Sequence, residues 1–363
     1  MTFRRTCVLA IVASGVFGCS APTTQFAQGD KVAIELEAKK QKELFIQTYF
    51  RDQMRVASVA APLLTANADL CRDKVAGYLG MNWWNVNAVP KDYREAATTA
   101  YRLTNVLQVS TIVPGSPAQR AGILPGDHIV KFDGRDAPVG DEAVEKLRER
   151  VRDRVTDKNK RLQPTQIVLR RNAHAMQAIV TPMLACDFSV AVQNEDTVNA
   201  YADGKSMLIT QGMLRFVETD EELAFIVAHE LAHNAMGHID AKKTNAMAAG
   251  AGGLVVDILA AAVGINTGGA FMKAAANAGA GAYSVDFERE ADYVGLYMMA
   301  RAGYRTDGAA NVWRRMAMRS PGSIAHSQTH PTSPDRFVSL EAANVEVERK
   351  RAAGAAMLPE MKK

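Results

Sequence analysis

Behind Thr219-Asp220-Glu221-Glu222, apolar residues recur at helical spacing, with Leu223, Ile226, Val227, Leu231 and Ala235 on one face. Thr219 reads as the cap and Glu222 as the side chain that reaches back, so the pattern predicts a well-started helix of about five turns. A second helical stretch runs from Ser284 through Tyr293, Leu296 and Met298 and ends near Gly303. A third begins with Ser333 as cap and Pro334 at the first helical position. Near the front, Leu44, Ile46, Tyr49, Phe50, Met54, Val56 and Val59 mark a helix from Ile34 to about Ala60. Val144, Leu147, Val151 and Val155, with charges between them, predict an amphipathic helix.

Elsewhere the period is that of strands and turns. A short strand at Thr111 is followed by Gly115-Ser116-Pro117, a brief helix, and Pro125-Gly126-Asp127. Then comes an alternating strand in which Lys131 separates Ile129 from Phe132. Gln166–Leu169 and Gln177–Pro182 supply closing strands. Residues 245–283 are rich in Ala and Gly. Their uncharged runs of 13 residues (244–256) and 15 residues (258–272) are interrupted by Asp257 and Lys273. Neither run reaches the roughly 20 residues of a membrane-spanning helix. The stretch reads as closely packed helices turning near Thr267-Gly268-Gly269, either buried core or a mobile cover over a cleft.

The chain has 363 residues, 48% of them hydrophobic, enough for two ordinary domains after a leader is removed. The net charge of +4 is mild and mixed. The basic run Lys146–Arg161 is interleaved with Glu149, Asp153 and Asp157, so it reads as a solvated face and no nucleic-acid partner is implied. Residues 1–18 read as an export signal, with Arg4 and Arg5 before an apolar core from Val8 to Phe17 that is too short for a permanent membrane helix.

On the predicted helix behind Thr219 lies His229-Glu230-Leu231-Ala232-His233. Residues four apart share a helix face, so His229 and His233 can grip one metal ion, with Glu230 beside it as a general base. Zinc needs a third protein ligand. Asp286, Glu288 and Glu290 on the later helix compete for that role, and periodicity does not choose among them. His238 and His326 have no supporting context and read as surface residues.

These motifs resemble the zinc endopeptidase family of HtpX and the CAAX prenyl proteases, in particular its periplasmic lipoprotein branch. That family pairs His-Glu-x-x-His with a later Glu-x-x-x-Asp, matched here by Glu288-Arg289-Glu290-Ala291-Asp292. The resemblance covers about residues 187–345, including Asn199–Gly204 and Ile209–Gly212. It implies Glu288 as third ligand of one Zn²⁺ per chain. It also implies that Asp292 accepts the free ring N–H of a ligand histidine, and that Glu290 points elsewhere. Thr329-His330-Pro331 also matches the family, so His330 is expected either to donate to the oxyanion or to occupy the open zinc position, against the bland reading of a loop histidine. Arg336 is expected as an ion-pair partner. Ser206–Thr210 looks like a sheet edge on which a substrate chain would line up.

Val16-Phe17-Gly18-Cys19-Ser20 resembles a lipobox, which implies a lipidated Cys19, a membrane anchor and a periplasmic, outer-membrane location. Residues 72–184 look like a PDZ domain, with Gly77-Tyr78-Leu79-Gly80 as its carboxylate-binding loop and the C-terminus of a peptide as its ligand. Cys71 and Cys186 flank that segment, and in an oxidising compartment they are expected to pair.

The expected fold class is α+β: a mainly helical zincin-like metallopeptidase domain with a small sheet, plus a PDZ-like β-barrel domain. The expected order is a signal peptide (1–18), a linker and helix (19–71), the PDZ-like domain (72–184), the metallopeptidase domain (187–345) and a tail (346–363). The expected function is zinc-dependent endopeptidase action on extended, misfolded or misassembled envelope polypeptides, with Glu230 as base. The alternatives are an envelope chaperone acting mainly by binding, and a purely structural zinc.

Overall fold

The computed structural model describes residues 24, 29–155, 162–262, 265, 267–281, 284–319 and 334–361. The expected signal peptide, Cys19, His326 and His330 lie outside the described residues. Residues 42–363 form one unit; residues 1–41 form another, in which helix α1 (Lys31–Ala66) begins. This helix is longer at both ends than its apolar pattern predicts. Its later turns bury Val56, Val59, Ala60, Leu63 and Leu64 in the same core as the peptidase-like half.

Strands β1 (Val75–Tyr78) and β2 (Met81–Trp84) follow. After them come helix α2 (Arg94–Tyr101), strand β3 (Gln108–Ile112), the short helix α3 (Pro117–Arg120), strands β4 (His128–Phe132) and β5 (Arg135–Asp136), and helix α4 (Ala143–Val155). Strands β6 (Thr165–Arg171), β7 (His174–Val180) and β8 (Met183–Cys186) complete this half. The main sheet runs β2-β3-β4-β6-β7, with β5 on β4, and β1 pairs with β8 as a separate ribbon. Its core gathers Ile129, Ile167 and Leu169 from the alternating strands, Leu147 from the buried stripe of α4, and Leu107 and Ile123 from the connections between elements. Between β2 and β3 the sequence reading missed a helical insertion. Its apolar residues join Ile46 and Trp84 in a small aromatic cluster against α1.

A disulfide joins Cys71 to Cys186, closing a loop of 115 residues around the PDZ-like half. A loop of that length restricts the unfolded chain strongly, so replacing both cysteines with Ser should lower stability by about 2–4 kcal/mol. Urea unfolding of the double variant with and without reductant checks this; equal midpoints for wild type and variant would contradict it.

The second half holds strands β9 (Ser189–Gln193), β10 (Ala200–Ala202) and β11 (Ser206–Thr210), then helices α5 (Gln211–Phe216) and α6 (Asp220–Met236). Helices α7 (His238–Ala262), α8 (Ala270–Gly281), α9 (Ser284–Arg301), α10 (Ala309–Arg319) and α11 (Pro334–Ala352) follow. The sheet order is β10-β11-β9. Ser206–Thr210 is therefore the central strand, antiparallel to β10 and parallel to β9, not the sheet edge that the sequence suggested. Both of its hydrogen-bonding sides are already used, and the free edges belong to β9 and β10. Helix α11 continues through residue 345 to Ala352.

Among the described residues of 245–283 the expected closely packed helices are present, but they are not buried core. α7 and α8 pack against each other as a hairpin, but Leu254, Val255, Val256, Ile258 and Leu259 are exposed.

Candidate metal centre

Helix α6 starts as its sequence predicts. The Thr219 side chain accepts from Glu222 N at 3.2 Å, and the Glu222 carboxylate accepts from Glu218 N at 2.6 Å. The helix ends at Gly237, whose φ of 75° closes it in the left-handed region that glycine reaches without strain. His229, Glu230 and His233 are all buried. Helix α9 crosses α6 at Gly295, where a Cβ would stand 3.1 Å from His229 N and 3.2 Å from the Ala228 carbonyl. The missing side chain lets the two backbones approach, and that approach carries Glu288 to the histidines.

His229 Nε2 and His233 Nε2 are 3.2 Å apart. Glu288 Oε2 lies 3.3 Å from the first and Oε1 lies 3.4 Å from the second. A tetrahedral zinc with bonds of about 2.0–2.1 Å spaces its ligand atoms about 3.3 Å apart. Each histidine meets a different oxygen of Glu288 at about that spacing, and the three residues offer donor atoms within 4.8 Å of one another, a set that fits a zinc ion. Asp286 and Glu290 do not join this cluster among the described residues.

Around it is a ring of partners. Asp292 Oδ1 is 3.0 Å from His229 Nδ1 and also accepts from Trp313 Nε1 at 3.1 Å. Arg336 donates Nε to Asp292 Oδ2 and Nη2 to Oδ1, each at 2.8 Å, and its Nη1 lies 3.4 Å from Glu288 Oε2. Its guanidinium also lies over the Trp313 ring. Burial by itself would push the Asp292 carboxyl up, but Arg336 and His229 outweigh it and hold the group at about 2. Burial would likewise push His229 down, yet Asp292 and Glu288 hold its imidazole up, at about 9.

His238 is not a surface residue. It is buried, with Nδ1 at 3.0 Å from His233 Nδ1 and Nε2 at 3.1 Å from Glu290 Oε2. Glu290, expected to point elsewhere, reaches this ring through His238. A spacing of five does not share a helix face, and the left-handed Gly237 resets the phase between α6 and α7, so periodicity carried no signal for this contact. Trp313 was missed for a similar reason, since nothing in the pattern of α10 marks its indole N–H.

A metal must displace the His229 proton, because only the neutral ring is a ligand. Zinc affinity should therefore rise with pH until about pH 9, where the metal-free ring deprotonates, by roughly tenfold per unit below it. Calorimetric zinc titration at pH 7.5 in buffers of different ionisation enthalpy should show about one proton released per zinc. Release of none would contradict a protonated His229.

In the first half, Gly77 and Tyr78 end β1, paired with Leu184 and Met183 of β8. Leu79 is buried, and the carbonyls of Leu79 and Gly80 accept from Ala118 N and Val113 N, each at 2.9 Å. Gly80 has φ 75°, and a Cβ there would lie 2.1 Å from Ser116 Cβ, so this turn admits only glycine. The turn leads into β2, the outer strand of the sheet, and Trp83 Nε1 bridges from it to the Val144 carbonyl of α4 at 3.1 Å. A cavity of about 460 Å³ beside β2, lined by Phe45, Phe50, Trp84 and Tyr93 among others, draws no residue from α6 or α9 and is separate from the metal centre.

Residues 163–344 match peptidase family M48, and residues 108–156 match a PDZ domain. The mitochondrial metalloendopeptidase OMA1 of Schizosaccharomyces pombe is 28% identical over 177 residues, covering 47% of this chain and 51% of that protein. A putative beta-barrel assembly-enhancing protease of Vibrio cholerae is 29% identical over 164 residues, covering 41% and 33%. The chain thus spans about half the length, or less, of these curated relatives. Among solved structures, the HtrA3 PDZ domain bound to a phage-derived ligand aligns with 30% of this chain and 88% of its own, at 22% identity and a TM-score of 0.23. With half of its length matched, and the two histidines and the later glutamate brought together, this chain belongs to peptidase family M48 and carries a PDZ domain.

Proposed function

We propose that the chain is a zinc-dependent endopeptidase of the bacterial cell envelope, acting on extended, misfolded or misassembled polypeptides. The observation that carries this reading is the buried cluster of His229, His233 and Glu288, whose donor atoms lie within 4.8 Å of one another, with Glu230 buried beside the histidines on α6. Zinc, when bound, supplies a Lewis acid for the scissile carbonyl and lowers the pKa of water. Glu230 takes the proton of the attacking water and returns it to the leaving amine. Asp292 accepts from His229 Nδ1, which keeps Nε2 free as a ligand, and Arg336 fixes Asp292 in turn.

β10 supports strand addition by the substrate. It is one of the two outer strands, and Asn234, next to His233, ties the β10–β11 turn to α6: its Oδ1 accepts from Gly204 N at 2.7 Å and its Nδ2 donates to the Ser206 carbonyl at 3.0 Å. The open side of β2 beside α4 suits a peptide C-terminus, received at Gly77–Gly80, by which the PDZ domain would select chains. His330 as oxyanion donor and lipidation of Cys19 complete the proposal. The V. cholerae relative, named for β-barrel assembly, supports the envelope setting.

The test is hydrolysis of an unfolded polypeptide by the purified chain. Cleavage should stop on chelation and return with about one equivalent of Zn²⁺. Cleavage that survives complete zinc removal would overturn the reading.

A further inference from the structure

The α7–α8 hairpin leaves a wide apolar surface uncovered. Gly253 and Asp257 face α8, and a Cβ on Gly253 would meet the Phe271 carbonyl oxygen at 2.3 Å and Met272 Cα at 2.7 Å. At 100° per residue, the exposed Leu254, Val255, Val256, Ile258 and Leu259 sweep an arc of about 200° around the rest of α7. Phe271 continues the surface on α8. Ile258 and Leu259 are 59% and 63% exposed, and with their exposed neighbours they make a contiguous apolar surface rather than single scattered residues. A helix packed into a protein groove needs a stripe of about 100°. An arc twice that wide, continued on the neighbouring helix, is suited to an apolar solvent that surrounds it.

Two further features point the same way. Asp257, the one charge between residues 244 and 272, turns inward and accepts from Thr267 Oγ1, Phe271 N and Met272 N. Its carboxylate, and with it the start of α8, is satisfied by protein donors and not left to water, as lipid surroundings demand. From Gly253, level with Met272, to Ala262 is a rise of about 14 Å, close to half the ~30 Å hydrocarbon thickness of a bilayer. Lys273, exposed and next to Met272, stands at the depth where that leaflet would meet its headgroups.

We propose that the α7–α8 hairpin dips into one leaflet of a lipid bilayer, with Leu254–Leu259 and Phe271 in the hydrocarbon and Lys273 at the headgroups. α7 is long and apolar enough to cross a membrane by length and composition, with a mean hydropathy of 1.4 over its most apolar 18 residues. The level of Lys273 sets the shallower, one-leaflet depth. The proposal depends neither on peptidase activity nor on lipid at Cys19. Because α7 begins at His238, whose ring touches His233, and rises about 22 Å from there to Gly253, insertion would hold the metal centre within about 22 Å of the headgroup level.

The test is photolabelling of the full chain on phosphatidylcholine–phosphatidylglycerol vesicles that carry a diazirine in the acyl chain, with label mapped by peptide mass spectrometry. Label in 254–259 and 271–272 should exceed that at Val338 and Val345, exposed valines of α11, by about tenfold or more. Val255→Glu with Leu259→Glu should bring the hairpin down to the α11 level while circular dichroism stays unchanged. If that variant does not fold, the wild-type map alone decides. Hairpin label no higher than that of α11 overturns the proposal, even if the chain is held on vesicles by other means. So does a hairpin that cross-links to protein and takes up no lipid label.

Discussion

Glu230→Gln should keep its zinc and lose about 10²–10⁴ in kcat. Gln has nearly the volume of Glu, so the buried helix around it is not disturbed. The donors of His229, His233 and Glu288 are untouched, and zinc content by metal analysis should match the wild type. What the variant lacks is a group that can carry a proton from the attacking water to the departing amine. KM for an unfolded polypeptide should hardly change, because the loss falls on the chemical step. Residual activity within tenfold of wild type would remove Glu230 from the role of base. The same variant separates a protease from a binding factor: if it restored every envelope defect of a deletion strain, binding would be the main function.

The local parts of this site were legible, and the parts made by packing were not. Thr219 and Glu222 announced the start of α6, and the two histidines announced a shared face, because caps and helical period are written within a few residues. The third donor was different. Asp286, Glu288 and Glu290 are equivalent in a pattern, and the structure brings Glu288 forward through the close crossing at Gly295, which no period encodes. The contact of His238 with His233 depends on the turn at Gly237. Strand pairing was misjudged for the same reason: β11 read as an edge because its parallel partner β9 lies beyond a long connection and leaves no local mark. Composition separated the α7–α8 region from the rest of the chain but could not say which side of its helices faces protein.

Arg336→Met should cost about 3–5 kcal/mol of stability at neutral pH, because it strands buried carboxylates. The centre holds Glu230, Glu288 and Asp292 against the Arg336 guanidinium, with Lys242 Nζ 3.8 Å from Glu288 Oε1; without metal the protonated His229 adds a charge that a dication would replace. Met fills most of the space under Trp313 but offers Asp292 no counter-charge and no N–H. The direction with pH then reverses. In the wild type, Asp292 is held at about 2, below an unfolded value near 3.9, so its contribution is present above pH ~4 and is lost as pH falls toward 2. Without Arg336 the folded carboxyl titrates upward, and mild acid should relieve the variant by protonating it. Arg336→Met combined with Asp292→Asn should recover most of the loss, since both charges of the pair are then gone. Zinc affinity should not recover, because Asn cannot hold the His229 ring as a carboxylate does, and a penalty of about 10–100-fold should remain. Urea unfolding at pH 5 and pH 7.5, with zinc titration of the single and double variants, measures all three effects. A single variant as stable as the wild type at both pH values would mean that Arg336 does not hold this buried charge cluster together.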